Sequence, residues 1–484
     1  MDIERRKSLG SYYTPDHVVQ SLVRWAVGSP KDRLLDPSCG DGRFLMVHSN
    51  SVGVEHDHRA AAVVHQRAPG SLIHEGDFFS WAARTVERFE CAAGNPPFIR
   101  YQRFMGSTRR AALELCARHG AHFSALTSSW APFLVAAASL LKPGGRMAFV
   151  APAEIGHAPY AAPLLQYCLD HFSLVQVVAV AKKLFPDLSE DCWLLYCEGY
   201  GGRTTSILFT QMDTFSSCDR PPQSGERVST KAWLSWNSHL RPFLLPRQVR
   251  SLYEQSAASS GTVRLGEIAR VGIGYVSGAN DFFHLRPSVA SMLRIPRSYL
   301  VPAIRNGRSL IEQTITSETV ARWWKRDEPC FLLRLRPKKE LPQSILDYLD
   351  TPAGCEARRT FKCRNRDPWY VIPSVHVPDA FLSYMSGEVP SLVLNAANCV
   401  ATNSVHVVRM SNGFRAQDLQ RMWSDPLTTL SCEIEGHPLG GGMLKLEPGE
   451  ASRVLLSRTA TQSKSDRDVL LDGISVMRRW RHYA

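Results

Sequence analysis

Arg33-Leu34-Leu35-Asp36-Pro37-Ser38-Cys39-Gly40-Asp41-Gly42-Arg43-Phe44-Leu45 reads as a short strand, an acidic residue, a glycine turn and the start of a helix. That order marks the first βα turn of a doubly wound sheet, a fold that binds ligands at the carboxyl ends of its strands. Glycines at 40 and 42 allow the backbone to approach a ligand closely. The spacing is D-x-x-x-G-x-G rather than G-x-G-x-x-G. A carboxylate beside the turn repels a pyrophosphate but suits a cationic or hydroxyl-rich ligand. The pattern therefore disfavours a dinucleotide and favours S-adenosylmethionine, which carries an ammonium, a sulfonium and a ribose diol.

The next three strand ends carry matching chemistry. Ser51-Val52-Gly53-Val54-Glu55-His56-Asp57 puts Glu55 where an acid can accept two ribose hydroxyls. Leu72-Ile73-His74-Glu75-Gly76-Asp77-Phe78-Phe79 ends in an acceptor for an adenine amine, Asp77, beside a ring able to stack on it, Phe78. The fourth strand runs into Cys91-Ala92-Ala93-Gly94-Asn95-Pro96-Pro97-Phe98-Ile99-Arg100-Tyr101. Two prolines fix φ and donate no backbone hydrogen bond, so the chain leaves the strand in a stiff extended loop. Within four residues that loop offers the Asn95 amide oxygen, the Pro96 carbonyl and the Phe98 ring, a set suited to a flat base with an exocyclic amine. Each acid taken alone reads equally as a helix cap or turn residue. Four consecutive strand ends with ligand-type residues are a stronger pattern.

Upstream, Thr14 is expected to cap a helix over 16–27, with Pro15 at its first position. Downstream, an apolar helix is expected from Phe123 to Leu141, then a strand at 146–152, a helix at 158–171 and strands at 174–180 and 191–197. Between the last two lies Lys182-Lys183-Leu184-Phe185-Pro186. The polar, turn-rich stretch 213–226 places a linker at 213–231, between a first domain of 1–212 and a second of 232–484.

A chain of 484 residues is too long for one ordinary core. Its 44% hydrophobic and 21% charged residues describe a globular protein, with no run apolar enough for a membrane span and no signal core at the N-terminus. Twelve scattered cysteines form no C-x-x-C pair, so neither a disulfide framework nor a metal site is expected and free thiols in a cytoplasm fit best. The first 200 residues are nearly neutral, which leaves almost all of the net charge of +12 to the second half. A basic excess of that kind fits a polyanion-binding module, though solvated surfaces also carry it.

Tyr-Thr-Pro, D-P-S-C-G-D-G-R-F, V-E-H-D, G-D-F-F and N-P-P-F-I-R-Y, in that order over residues 8–200, resemble the TaqI-like, γ-class adenine-N6 DNA methyltransferases. The resemblance implies an α/β fold: a Rossmann-like class I methyltransferase sheet followed by a mixed α+β target-recognition domain. It implies S-adenosylmethionine as cofactor, with Tyr13, Thr14, Asp36 and Gly40 at its methionine end, Glu55 at the ribose, and Asp77 and Phe78 at the adenine. Asn95, which also borders the cofactor, would hold the target base with Pro96 and Phe98, and Phe185 would pack on its other face. The usual tyrosine of N-P-P-Y is phenylalanine here, which keeps the stacking and gives up a hydroxyl.

In the second half, Leu265–Phe283 reads as strand with tight glycine turns, where Gly272 and Gly274 suit either a turn or a phosphate cradle. Similar segments open the recognition domain of the family, with looser matches at Arg366–Tyr370, Asn403–His406 and Gly440–Pro448. Candidate DNA contacts are Arg305, Arg308, Arg358, Arg359, Lys362, Arg364, Arg366 and Lys445, densest around Phe361. The basic tail from Met477 reads as a helix end or a flexible arm. The expected partners are double-stranded DNA and a separate restriction endonuclease chain, in a bacterial or archaeal cytoplasm at the nucleoid. Enzymes that methylate RNA guanine-N2 or a protein glutamine use the same loop, and a non-catalytic DNA-binding scaffold is a further alternative.

Overall fold

The computed structural model describes residues 14–483 apart from 187, 189, 219, 338, 339, 412 and 459–462. The chain divides into two compact units, Met1–Leu244 and Leu245–Ala484.

The first unit is built on one sheet. Helix α1 (Asp16–Ala26) leads into β1 (Leu34–Asp36), α2 (Arg43–Val47), β2 (Ser51–Glu55), α3 (His58–Arg67), β3 (Leu72–Glu75), α4 (Phe78–Ala82) and β4 (Phe89–Gly94). Next come α5 (Gly106–Arg118), α6 (Trp130–Ala138), β5 (Leu141–Pro152), α7 (Ala161–His171), β6 (Phe172–Val180), β7 (Cys192–Tyr200), β8 (Ser206–Met212) and β9 (Glu226–Ser229). The strand order is β3-β2-β1-β4-β5-β7-β6-β8-β9. The first five run parallel, and β7 is antiparallel to both β5 and β6. The chain winds outward from β1 to β3 and then crosses back to β4, so the topological switch lies between β1 and β4. Ligands in open α/β sheets bind at that point.

Packing explains the order. Strands β1, β2 and β4 are almost wholly buried, as strands covered by helices on both faces must be. Every residue of α6 is buried, which suits its uniformly apolar sequence. Helix α1 lays Val18, Leu22, Val23 and Trp25 on one side of the sheet, in a cluster with Leu34, Cys91, Val150, Phe185 and Tyr196.

Three expectations need correction. Thr14 does not cap α1: Pro15 is the capping residue with no side-chain hydrogen bond, and Thr14 is buried with its carbonyl accepting from Arg43. The helix expected over 123–141 is confined to Trp130–Ala138, because Leu141 already pairs with Phe89 in the sheet. The stretch 213–231 is not a connector between units. Its end, β9, pairs with β8 at Ser206–Ser229 and Ile207–Val228, so the polar segment is a loop returning to the same sheet edge.

The second unit is mixed α+β. A five-stranded sheet runs through Ala269–Ile273, Val405–Met410, Ala380–Ser383, Leu392–Asn395 and Thr314–Ile315 in that order, beside a smaller four-stranded sheet. Gly272 lies within a strand, and an ideal Cβ on Gly274 would sit 2.1 Å from the Ala401 carbonyl oxygen. Close backbone packing, not a phosphate, explains Gly274. The basic tail is no free arm: it ends the helix Lys464–Trp480, and Arg481 is buried in a bidentate pair with Glu433 at 2.8 and 2.9 Å.

Candidate active site

The carboxyl ends of β1 to β4 surround a cavity of about 380 Å³. Gly40 and Gly42 adopt φ of +55° and +82°, conformations open to glycine, and turn the chain from β1 into α2. Glu55, at the end of β2, closes that turn. One of its oxygens accepts from the Gly40 N–H at 2.8 Å and the other from the Asp57 N–H at 2.7 Å, while burial pushes its pKa up. Asp77 lines the cavity and caps α4 through the Ser80 N–H at 2.8 Å. Phe78 follows it, stacked on Phe133 with ring centroids 5.1 Å apart. Thr14 and Asn95 complete the sequence-named lining, and Tyr13 lies outside the described residues.

Asp36 is not among the lining residues, although Pro37 and Ser38 next to it are, and it is 1% exposed. One oxygen accepts from the Ser38 N–H at 3.2 Å, and the other meets no donor among the described residues. Burial, with smaller contributions from Glu55 and Asp41, raises its pKa to about 8. A buried carboxylate with an open oxygen is costly without a cationic partner. The next strand passes directly over it: an ideal Cβ on Gly94 would lie 2.8 Å from Asp36 Oδ1. The acid of β1 and the amide loop of β4 therefore abut across the switch point.

The loop itself is braced. Ser129, fully buried just before α6, donates its hydroxyl to the Pro97 carbonyl at 2.5 Å and accepts from the Ile99 N–H at 3.0 Å. Its own N–H donates to the Ile99 carbonyl. Asn95 and Pro97 face the cavity, whereas Phe98 packs half-buried on the cluster that contains Phe185, itself 6% exposed. The structure thus separates the candidates into a cavity set and an aromatic pair on the apolar side of the same loop.

Ser129, Phe133 and Arg43 were not among the residues expected at the site. Arg43 ties the glycine turn to α1, pairing with Asp41 at 3.0 Å and donating to the Thr14 carbonyl at 3.0 Å. Its place in D-G-R-F was the available signal. Ser129→Ala removes both side-chain bonds without changing the backbone, and each such bond contributes about 0.5–1.5 kcal/mol. The expected result is a lower kcat with cofactor affinity near wild type, read from paired rate and titration measurements.

The second unit sorts the basic candidates. Arg366 donates to the carbonyls of Ser277 at 2.7 Å and Val276 at 2.5 Å, and Lys445 pairs with Glu447 and lies over the Tyr384 ring. Arg305 pairs with Asp281 at 2.8 Å. These three brace the unit internally. Arg308, Arg358, Arg359, Lys362 and Arg364 are exposed.

A parallel-rich sheet with acids and an Asn-Pro-Pro-Phe loop at its switch point defines a class I methyltransferase fold with a loop suited to a planar amine. Residues 237–479, half of the chain, match the model of the Type II methyltransferase M.Eco57I C-terminal domain, and residues 3–67 match that of N-6 DNA methylase. The chain belongs to this family: it is an adenine-N6 DNA methyltransferase of the restriction-modification kind. It is 24% identical over 478 residues to Type II methyltransferase M.XamI of Xanthomonas campestris pv. amaranthicola, covering 93% of this chain and 85% of that one. It is 17% identical over 500 residues to Type II methyltransferase M.AccI of Acinetobacter calcoaceticus, covering 98% and 89%. The solved type IIG restriction endonuclease BpuSI aligns with a TM-score of 0.44 and 13% identity over 97% of this chain, which spans 61% of its length. Family membership sets aside the RNA, glutamine and non-catalytic alternatives. Use of S-adenosylmethionine is general for the family, and an open buried carboxylate beside an acidic, aromatic-walled cavity fits it.

Proposed function

We propose that this corner methylates the N6 amine of an adenine extruded from a specific site in double-stranded DNA. Bound S-adenosylmethionine supplies an electrophilic methyl group. Asp36 holds an ammonium, with Thr14 and Gly40 around it. Glu55 takes ribose hydroxyls, and Asp77 and Phe78 take the cofactor's adenine. Asn95 Oδ1 and the Pro96 carbonyl accept the two hydrogens of the target amine. Its nitrogen then moves towards tetrahedral geometry and its lone pair becomes available, an effect of position and electrostatics that needs no strong base. Extruding a paired base costs a few kcal/mol. Stacking on Phe98, with Phe185 as the second aromatic wall, offsets part of it.

The abutment of Gly94 on Asp36 is the observation that carries this reading, since it brings the buried carboxylate of β1 against the strand that ends in the Asn-Pro-Pro-Phe loop. Single-molecule sequencing of DNA from a host that expresses the chain tests it. A modified adenine at one recurring sequence is expected, and DNA free of modified adenine would reject it.

The second unit carries the target-recognition role, with Leu245–Ala484 as its extent. Arg308, Arg358, Arg359, Lys362 and Arg364 contact DNA, and a cognate endonuclease is a separate chain in the same cytoplasm. No helix among the described residues is long and apolar enough to cross a membrane. Replacing Arg358, Arg359, Lys362 and Arg364 with alanine should flatten the salt dependence of DNA binding, by roughly one unit of log–log slope for each phosphate no longer neutralised. An unchanged slope would assign the DNA contacts elsewhere.

A further inference from the structure

Phe361 is 65% exposed, more than any other phenylalanine, tyrosine or tryptophan among the described residues. A ring that sheds this much water only on binding is an unusual surface choice. It stands at the corner between the helix Pro352–Arg359 and the short turn Phe361–Arg364. Arg358, Arg359, Lys362 and Arg364 flank it in sequence, all exposed. Lys362 Nζ lies 5.8 Å and Arg364 Cζ 5.3 Å from the ring centroid.

The corner is held rigidly. Cys363, fully buried, donates to the Ser277 carbonyl at 3.6 Å, and the Arg366 guanidinium grips the Ser277 and Val276 carbonyls. Gly278, at φ +87°, closes against it, and an ideal Cβ there would lie 2.8 Å from Lys362 Cβ. An apolar ring on a fixed mount, with two cations beside it and two more in the same short stretch, is complementary to a duplex: phosphates for the charges and a base step for the ring.

We propose that Phe361 is a wedge that enters a base step of the bound duplex while the neighbouring cations hold the flanking phosphates. The proposal rests on the DNA-methylating reading above. Wedging apolar side chains partly unstack a step and bend the helix, which eases the extrusion of a base.

The test uses the full chain and a duplex bearing its methylated sequence, with 2-aminopurine placed in turn at the target and at each flanking position. This analogue brightens where stacking is lost. Wild type should brighten the target and one further step. Phe361→Ala should darken that further step and weaken duplex binding by about tenfold, as loss of one aromatic–base stack does. The salt slope should not change, because no charge is removed, and Phe361→Trp should restore both signals. The wedge is overturned if the further step stays bright in Phe361→Ala, if wild type brightens the target alone, or if affinity is unaltered. Wild type that neither brightens nor methylates the duplex overturns the DNA reading along with it. A ring this exposed leaves the fold intact when truncated, so weakened binding cannot be put down to unfolding.

Discussion

Asn95→Ala is expected to lose methyl transfer by about 10²–10³-fold, the scale seen when one preorganised hydrogen-bonding group is removed from a reaction centre. Cofactor affinity should stay near the wild-type value. The side chain follows Gly94 at the end of β4, and Pro96 and Pro97 hold the backbone beyond it. Ser129 braces the far side of the loop through Pro97 and Ile99. Truncation at Asn95 therefore leaves the loop in place and removes one acceptor for the target amine. Single-turnover rates paired with cofactor titration separate the two effects. Equal loss of both would move Asn95 from the base site to the cofactor site.

The second large effect concerns Asp36. Its buried carboxyl has a pKa raised to about 8, mainly by desolvation, so below that pH the free protein holds it protonated. Pairing with an ammonium requires the charged form, and binding must release that proton. Cofactor affinity is therefore expected to rise by up to about tenfold per pH unit towards pH 8, where the rise stops. Asp36→Asn removes the charge at constant shape. Leaving one partner of a buried charged pair uncompensated costs about 2–5 kcal/mol, so at pH 8 the dissociation constant should rise roughly 30-fold or more, and the pH dependence should vanish, so that the gap from wild type narrows as the pH falls. Titration calorimetry at pH 6, 7 and 8 reads both. A pH-independent wild type would show that no ammonium meets this carboxylate.

The acids and the amide around the switch point were legible because they sit where short strands end. Asp36, Glu55, Asp77 and Asn95 each follow a brief apolar run and precede a turn, so position along the chain nearly dictates position in space. Ser129 was not legible. It lies between an exposed loop and an apolar helix, and only tertiary folding brings its hydroxyl to Pro97. Phe133 looked like one more core residue of α6, since nothing local says that it stacks on Phe78. The polar run at 213–226 read as a linker between domains, and only tertiary pairing of β9 with β8 shows that the chain returns to the same sheet edge. Basic residues were the least readable. Arg366 and Arg364 are two positions apart, yet one grips backbone carbonyls and the other is exposed.

The most direct measurement is nucleoside analysis of duplex DNA incubated with the purified chain and isotopically labelled S-adenosylmethionine. Label recovered solely in N6-methyladenine, and lost on Asn95→Ala, is the predicted result. Label in cytosine or guanine, or no label in DNA at all, would contradict the account.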